Sequence, residues 1–576
     1  MDYIDGSYTG IGKGYAGDIK LNIIISDSKI KDINIIEHNE TKIISDPAFE
    51  HVIKNIIEKN TILVPNVSGC SITSRGIREA VKDALIKAGA DKTELEALIL
   101  DAELLEKIVS GKARKLKDIQ EYDVVIVGGG GAGLSAAIEA GANGANVVLL
   151  EKMNNLGGNT LVSMGGVNIP QNDEQKQKNI LDSKESYRED MLVGGDNKCN
   201  IEQVDILVEN ALPTYRWLKD FVNVEFKEDK LIHFGGHKVP RASVFKGKYA
   251  IELIQKLREK AQELGVDIIT GVECKNLIFE EDRITGVNSL FNNREIVFKA
   301  RYGVVLATGG FSGNVKMRKK YAPNLDERYK TTNVSGVTGQ GHDMCEKVDA
   351  KFVDMNYIQT FPISNPITGE LSHVGGARFD GAILVNKEGN RFVEELERRD
   401  VVSEGILNQT SNRAYLVWSK EVESINEGVS INSGEVKRLE KDNLFGKFET
   451  IEDACDFFNI NYSNLKETLN KYNSYVDNNK DEDFNRRGQL ISIKEGPYYV
   501  QVVAPAVHHT MGGVKINNKN QVLRSDESII KGLYAAGEIV GGTHGTNRLG
   551  GNAITEILVF GKRCGKSIVN NRNSNL

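Results

Sequence analysis

Hydrophobic and polar residues alternate one by one near the start of the chain. Ile19, Leu21, Ile23 and Ile25 interleave with Asp18, Lys20 and Asn22, and Ile33 and Ile35 with Asp32 and Asn34. A period of two puts the isoleucines on one face, so the pattern predicts a meander of half-buried strands. Helical patterns follow at 47–59 and 75–88, and residues 1–90 read as a small α+β domain. Residues 91–120 are charged at helical spacing with a break at Gly111, which predicts a helical linker. The pattern then changes. Val124–Val127 is an unbroken apolar run suited to a strand buried on both faces, Leu134–Ala140 is a helix, and Asn146–Leu150 is a second strand. Two distant segments, VVLATGGF (304–311) and GLYAAGE (532–538), are strands ending in glycine turns. They predict a discontinuous nucleotide-binding domain, 121–356 with 506–576, interrupted by an insertion at 357–505.

Composition narrows the function classes. The chain has 576 residues, of which 40% are hydrophobic and 27% charged, values of a globular protein. A net charge of -7 argues against a nucleic-acid partner, and the basic cluster Lys112, Arg114, Lys115 and Lys117 reads as a solvated face of the linker. The N-terminus MDYIDGSYTG is no signal peptide, and no run of about 18 apolar residues occurs, so a cytoplasmic protein without a membrane span is expected. The six scattered cysteines include no C-x-x-C pair, which leaves disulfides, a metal site and c-type haem without support.

The chemistry concentrates after Tyr122. Gly128, Gly130 and Gly133 form G-x-G-x-x-G between the predicted strand and helix, a spacing that brings backbone N–H groups to a pyrophosphate at the positive end of a helix. Glu151, closing the second strand, is placed to accept hydrogen bonds from a ribose. Two small-residue turns follow, Leu156–Thr160 and Ser163–Gly166, which allow a planar cofactor to approach the backbone. In the N-terminal domain a hydroxyl-rich turn, VSGCSITS (67–74), precedes a helix.

That turn resembles the S-G-A-T motif of domains that carry FMN through a phosphoester on Thr or Ser. The resemblance puts Ser71 at the attachment position, with Cys70 replacing alanine, Ser71 replacing the commoner threonine, and Pro65 standing where aspartate is usual. Thr73 and Ser74 are the neighbouring hydroxyls. It implies covalent FMN and a flavin transferase that installs it.

Residues 121–570 resemble the FAD-dependent fumarate reductase and flavocytochrome c family, which includes urocanate and cinnamate-type 2-enoate reductases. The resemblance rests on GGGGAGLSAA, LGGNT, MGGVN, ATGGF, GAILVNKEGNRFVEE, HHTMGGV, YAAGEIVGG and NRLGGNA. It implies an α/β fold: a Rossmann-like FAD-binding domain with an inserted α+β clamp domain, preceded by the small α+β FMN-binding domain. It implies non-covalent FAD held by Gly128, Gly130, Gly133, Glu151, Lys152, Gly158, Asn159, Thr160, Gly165, Gly166, Gly309, Glu538, Ala553 and Ile554. Arg399 would protonate the alkene, with Arg378 as the second arginine of a proton relay, while His508 and Arg548 hold the substrate carboxylate beside Thr510.

Three positions depart from the fumarate reductases. Phe361 replaces the histidine and Val374 the threonine that hold a second carboxylate, and Gly375 replaces the relay glutamate, with Glu394, Glu395 and Asp400 as unranked substitutes. A buried second carboxylate without partners costs several kcal/mol, so a cinnamate-like enoate is expected, with Phe361 available for stacking and Gly375 making room. Fumarate or urocanate reduction, ring-enone dehydrogenation and non-catalytic electron transfer are the alternatives. No second dinucleotide fingerprint occurs, so electrons are expected through FMN from a separate reductase or NADH-linked flavoprotein.

Overall fold

The computed structural model describes residues 3–14, 17–38, 40, 42–64, 71–92, 95, 116–247 and 250–572, and only the backbone of 42–44, 46–47, 71–72 and 426. The chain divides into two units, one built on Met1–Lys117, the other on Asp118–Asn432 and Leu439–Leu576.

In the first unit, β1 (Gly6–Lys13), β2 (Asp18–Ser26) and β3 (Lys29–Glu37) form an antiparallel sheet in that order. The alternating isoleucines face inward as the period predicts: Ile19, Leu21, Ile23 and Ile25 are at most 2% exposed. Each stabilises the fold by about 1.5–3 kcal/mol through burial. Helices α1 (Lys42–Lys59) and α2 (Ser71–Lys87) complete this unit. Helix α2 begins at Ser71, four residues before the expected start at Arg75, so the last four residues of the hydroxyl-rich turn belong to the helix. The rest of that turn, 65–70, and most of the expected linker lie outside the described residues.

The second unit is organised by a mainly parallel sheet. Its strands are β4 (Ile119–Val127), β5 (Val147–Glu151), β6 (Asp267–Thr270), β7 (Val272–Glu280), β8 (Arg283–Phe291) and β9 (Arg294–Leu306), with order β7-β8-β9-β4-β5-β6. Strand β4 takes in Ile119 and Gln120, paired with Val297 and Phe298, so the end expected of the linker is already sheet. Helix α3 (Gly131–Ala142) joins β4 to β5 as the fingerprint requires. Side chains 124–126, 147–150 and 304–306 are no more than 1% exposed, which explains their unbroken apolar runs.

The insertion contributes β10 (Ile358–Ser364), β11 (Ile383–Val385), helix α4 (Arg399–Leu407), β12 (Ala414–Ser419) and β13 (Phe445–Phe448). These strands join β14 (Tyr498–Thr510) in an antiparallel sheet of order β10-β14-β12-β11, with β13 also on β14. The expected boundary at 505/506 therefore falls inside a strand. The first half of β14 pairs with β12 and its second half with β10, and this carries His508 toward the nucleotide sheet. The chain then adds β15 (Gln521–Leu523) and β16 (Ile529–Ala535), the latter parallel to β9, and ends in helix α5 (Asn552–Asn570). Among the described residues no helix is long and apolar enough to cross a membrane.

Candidate active site

The ends of β4, β5, β9 and β16 open on one cleft of about 1650 Å³ of atom-free space. Clefts at the carboxyl ends of parallel strands are where such folds bind ligands. Gly128 leaves β4 at φ 110°, a conformation costly for any residue with a Cβ, and a Cβ there would stand 2.2 Å from the Ala307 carbonyl. A Cβ on Gly133 would stand 1.9 Å from the Gly128 carbonyl, so Gly133 serves helix-on-turn packing rather than the cleft wall. Gly130, the residue before α3, lines the cleft with the positive end of that helix.

Glu151 and Lys152 line the cleft as well. The two Glu151 oxygens accept hydrogen bonds from Gly129 N–H at 2.7 Å and Met153 N–H at 2.8 Å, so the residue ties the two turns together besides facing the ligand space. Lys152 Nζ donates to Thr338 Oγ1 at 2.9 Å, and burial pushes its pKa down. Gly158, Asn159, Thr160, Gly165 and Gly166 form another wall, and Gly309, Glu538, Ala553 and Ile554 a third. A Cβ on Gly158 would meet nothing within 4 Å and one on Gly309 nothing nearer than 3.8 Å, so the glycines hold open space that side chains would fill. Small residues around a long cleft, with a helix N-terminus and an acid at the end of the second strand, fit FAD.

Arg399, His508 and Arg548 also line this cleft. Arg399 opens helix α4, half-buried, and its Nη1 donates to Gln359 Oε1 at 3.2 Å. Burial, then the charges of Arg548 and Arg378, hold its pKa well below the usual guanidinium value. A cation at the positive end of a helix is weakened in the same direction. Arg548 and Arg378 are 4% and 3% exposed, and burial pushes both down to about 10. His508 Nδ1 lies 2.6 Å from the Thr332 hydroxyl, and burial with the neighbouring arginines keeps the ring neutral.

The remaining expected substrate residues are placed differently. Phe361 is 2% exposed and absent from the cleft wall, its ring covered by Arg399, Arg378 and His508 at 5.2, 5.9 and 5.0 Å. It offers no open stacking face. Val374 is fully buried, and the space beside Gly375 is filled, since a Cβ there would stand 2.3 Å from Ile363 Cγ2. Gly375 therefore makes no room for a ligand. Thr510 is 1% exposed, and its backbone N–H and hydroxyl both donate to Glu538 Oε1, at 3.0 and 3.3 Å. It positions Glu538 instead of facing the ligand space.

Residues not singled out from sequence fill the gaps. Gln359 accepts from Arg399 and donates to the Arg548 carbonyl at 2.8 Å, and Thr332 holds His508. Met164, Phe234 and Leu371 supply apolar cleft wall. Gln359 was detectable, because it lies two residues before Phe361 on one strand and so shares its face. Thr332 sits in no recognisable motif.

Comparison with known proteins identifies both flavin-binding domains. Residues 123–554 match the FAD binding domain model and residues 14–86 the FMN-binding domain model. The chain is 37% identical to a urocanate reductase of Eggerthella lenta, over 97% of this chain and 91% of that protein. It is 35% identical to an NADH:fumarate oxidoreductase of Klebsiella pneumoniae over 96% of this chain, which spans 57% of that longer relative. The open conformation of a flavocytochrome c3 fumarate reductase superposes with a TM-score of 0.67 at 32% identity, covering 81% of each chain. A 3-ketosteroid dehydrogenase from Rhodococcus jostii, 24% identical with a TM-score of 0.62 over 78% of this chain and 97% of its own, shares the fold. With the FAD cleft, the arginine cluster and the N-terminal FMN module all in place, the chain belongs to the fumarate reductase family of FAD-dependent oxidoreductases.

Proposed function

We propose that the protein reduces the double bond of a 2-enoate that carries one carboxylate and a flat aromatic or apolar β-substituent, the cinnamate class. The observation that carries this reading is the apolar character of Phe361 and Val374, both buried, with Phe361 under the guanidinium groups of Arg399 and Arg378. A second carboxylate there would lose its hydration without compensation, at a cost of several kcal/mol. An apolar substituent on the cleft wall of Met164, Phe234 and Leu371 gains about 25 cal/mol per Å² buried. A relative named for urocanate, itself a monocarboxylate with a ring, supports the same class.

Reduced FAD, when bound, supplies the hydride that adds to the β-carbon. Arg548 presents its guanidinium to the carboxylate, and neutral His508, braced by Thr332, adds a donor. Withdrawing charge into that carboxylate stabilises the enolate-like transition state. Arg399, whose hold on its proton is weakened by burial and two neighbouring cations, protonates the α-carbon, and Gln359 aims it.

Arg378 returns the proton, fed by a carboxyl. Of the three candidates, Glu395 is committed to Arg391 at 2.9 Å and Arg486 at 2.6 Å, and Asp400 to Arg398 at 2.8 Å. Glu394 is the best placed: buried, its pKa raised by burial, and its Oε2 without a hydrogen bond and held only by Arg487 Nε at 3.6 Å. FMN on the N-terminal domain would supply the electrons, received from a separate donor. Ser71 is the attachment residue of choice, because it starts α2 while Thr73 and Ser74 are buried at 4% and 0% exposure. A Ser71→Ala protein that keeps FMN through denaturation would reject that attachment.

The reading as a whole is tested by photoreducing the holoprotein without oxygen and adding cinnamate. Return of the oxidised flavin spectrum with formation of 3-phenylpropanoate is expected. No reoxidation by cinnamate, urocanate, acrylate or fumarate would reject enoate reduction.

A further inference from the structure

Arg399 and Arg548 sit on segments far apart in the chain, the first on the insertion and the second on the loop before α5. A proton donor and a carboxylate holder work on one substrate only if their separation is fixed. Buried Gln359 is one tie between them, accepting from Arg399 and donating to the Arg548 carbonyl. A second tie, off the cleft wall, runs through Asp196. Arg398, the residue before Arg399, donates Nη1 and Nη2 to the two Asp196 carboxylate oxygens at 2.6 and 3.2 Å. The Thr546 hydroxyl, two residues before Arg548, donates to the same carboxylate.

The turn that carries Asp196 is seated backbone to backbone on the Arg548 loop. Thr546 N–H donates to the Gly195 carbonyl at 3.3 Å, the Asn547 side-chain amide to the Gly194 carbonyl at 3.1 Å, and Asn200 N–H to the Gly542 carbonyl at 2.7 Å. A Cβ on Gly195 would stand 2.5 Å from the His544 carbonyl oxygen and one on Gly545 2.3 Å from the Gly195 carbonyl oxygen, so only glycine fits at this contact. Asp196 and Asn197 then take φ of 55° and 54°, left-handed values that Asp and Asn tolerate best after glycine. The carboxylate is thereby fixed relative to Arg548, and it reaches across to the start of α4. Hydrogen bonds from Arg398 and Thr546 hold its pKa below the usual carboxylate range, so it is ionised at neutral pH. With the Arg398 and Asp196 side chains 23% and 47% exposed, the pair is too open to solvent to add much stability. What it contributes is geometry.

We propose that Asp196 is a positioning residue for alkene reduction: through Arg398 and Thr546 it sets where Arg399 stands relative to the substrate carboxylate on Arg548. This rests on the roles given to Arg399 and Arg548 above. Without the pair the start of α4 is held on the FAD side by Gln359 alone among these ties, and a shift of about 1 Å in a reacting group costs about a hundredfold in rate. The carboxylate is bound from the other side, so binding is spared and the chemical step is slowed.

Asp196→Asn keeps the size of the side chain and suits the left-handed backbone. With whichever of cinnamate, urocanate, acrylate or fumarate the FAD-loaded protein reduces fastest, its kcat should fall about tenfold or more, while KM stays within about twofold and the denaturant midpoint is unchanged. Arg398→Gln should give the same loss, and Arg398→Lys, which keeps the charge, a smaller one. The double variant Asp196→Asn with Arg398→Gln should be no slower than either single variant, because each removes the same tie. Amide hydrogen exchange of 394–402 in the FAD-loaded protein, followed by mass spectrometry, should be faster in Asp196→Asn. That measurement needs no substrate, so a failure of the enoate reading leaves it standing. A kcat within about twofold of the unaltered protein, additive losses in the double variant, or unchanged exchange at 394–402 would overturn the proposal.

Discussion

The guanidinium carbon of Arg399 stands 5.2 Å from the centre of the Phe361 ring. A guanidinium over an aromatic face gains about 0.5–2 kcal/mol, and the ring also keeps water from its underside. Phe361 thus holds Arg399 in place and, under the proposed function, denies a second carboxylate its partner. Replacing it with alanine removes a ring that also supports Arg378 and His508. Phe361→Ala is expected to destabilise the FAD-loaded protein by about 3–5 kcal/mol in denaturant unfolding and to lower turnover with it.

Arg399→Lys keeps a positive charge but loses the planar fork and its bond to Gln359. A positioned general acid contributes about 10²–10⁴ in rate, so alkene reduction should fall by that factor. Bound FAD, measured by absorbance after gel filtration, should be unchanged. A variant that keeps most of its turnover would remove Arg399 from the proton-donor role.

The adjacent acids Glu394 and Glu395 should behave oppositely. Glu395→Gln breaks a fully buried network with Arg391 and Arg486 and should cost about 3–5 kcal/mol of stability. Glu394→Gln should leave the unfolding midpoint nearly unchanged and lower steady-state turnover. Its first turnover, followed by reoxidation of reduced flavin, should keep the normal rate, because Arg399 starts protonated. Equal slowing of both phases would exclude a relay role.

These contrasts show how much could be read from the chain alone. The glycine fingerprint located the FAD turn because a phosphate-binding βα turn is a local constraint, and Gly128, Gly130 and Gly133 stand where that constraint puts them. The isoleucine alternation located the first sheet for the same reason. Residues whose surroundings come from distant segments were misjudged. The space beside Gly375 is taken by Ile363, Thr510 is turned toward Glu538, and the Phe361 ring is covered by Arg399. Strand β14 hid a domain junction because one continuous strand serves two partners. Helix α2 starts earlier than expected because Ser and Thr, common in turns, are also tolerated inside a helix.

His342 offers a pH test away from the chemistry. It is 2% exposed, neither ring nitrogen is hydrogen-bonded, and burial pushes its pKa down to about 4. The folded ring stays neutral where the unfolded one, near pH 6.5, takes up a proton. The unfolded state therefore binds more protons between about pH 4 and 6.5, and acidification through that window costs stability by up to about 1.4 kcal/mol per pH unit. His342→Phe, which suits the contacts with Phe311 and Phe352, should remove this share of the acid sensitivity in denaturant unfolding measured from pH 7 to 5. An unchanged slope would mean that the ring finds a proton-stabilising partner.

The measurement that bears most directly on the function is the ratio of kcat/KM for cinnamate to that for fumarate, with reduced viologen as the electron donor. Without polar partners at Phe361 and Val374, cinnamate should be preferred by roughly tenfold or more, the equivalent of about 1.4 kcal/mol of the penalty on an unpaired carboxylate. A ratio in favour of fumarate would contradict the account.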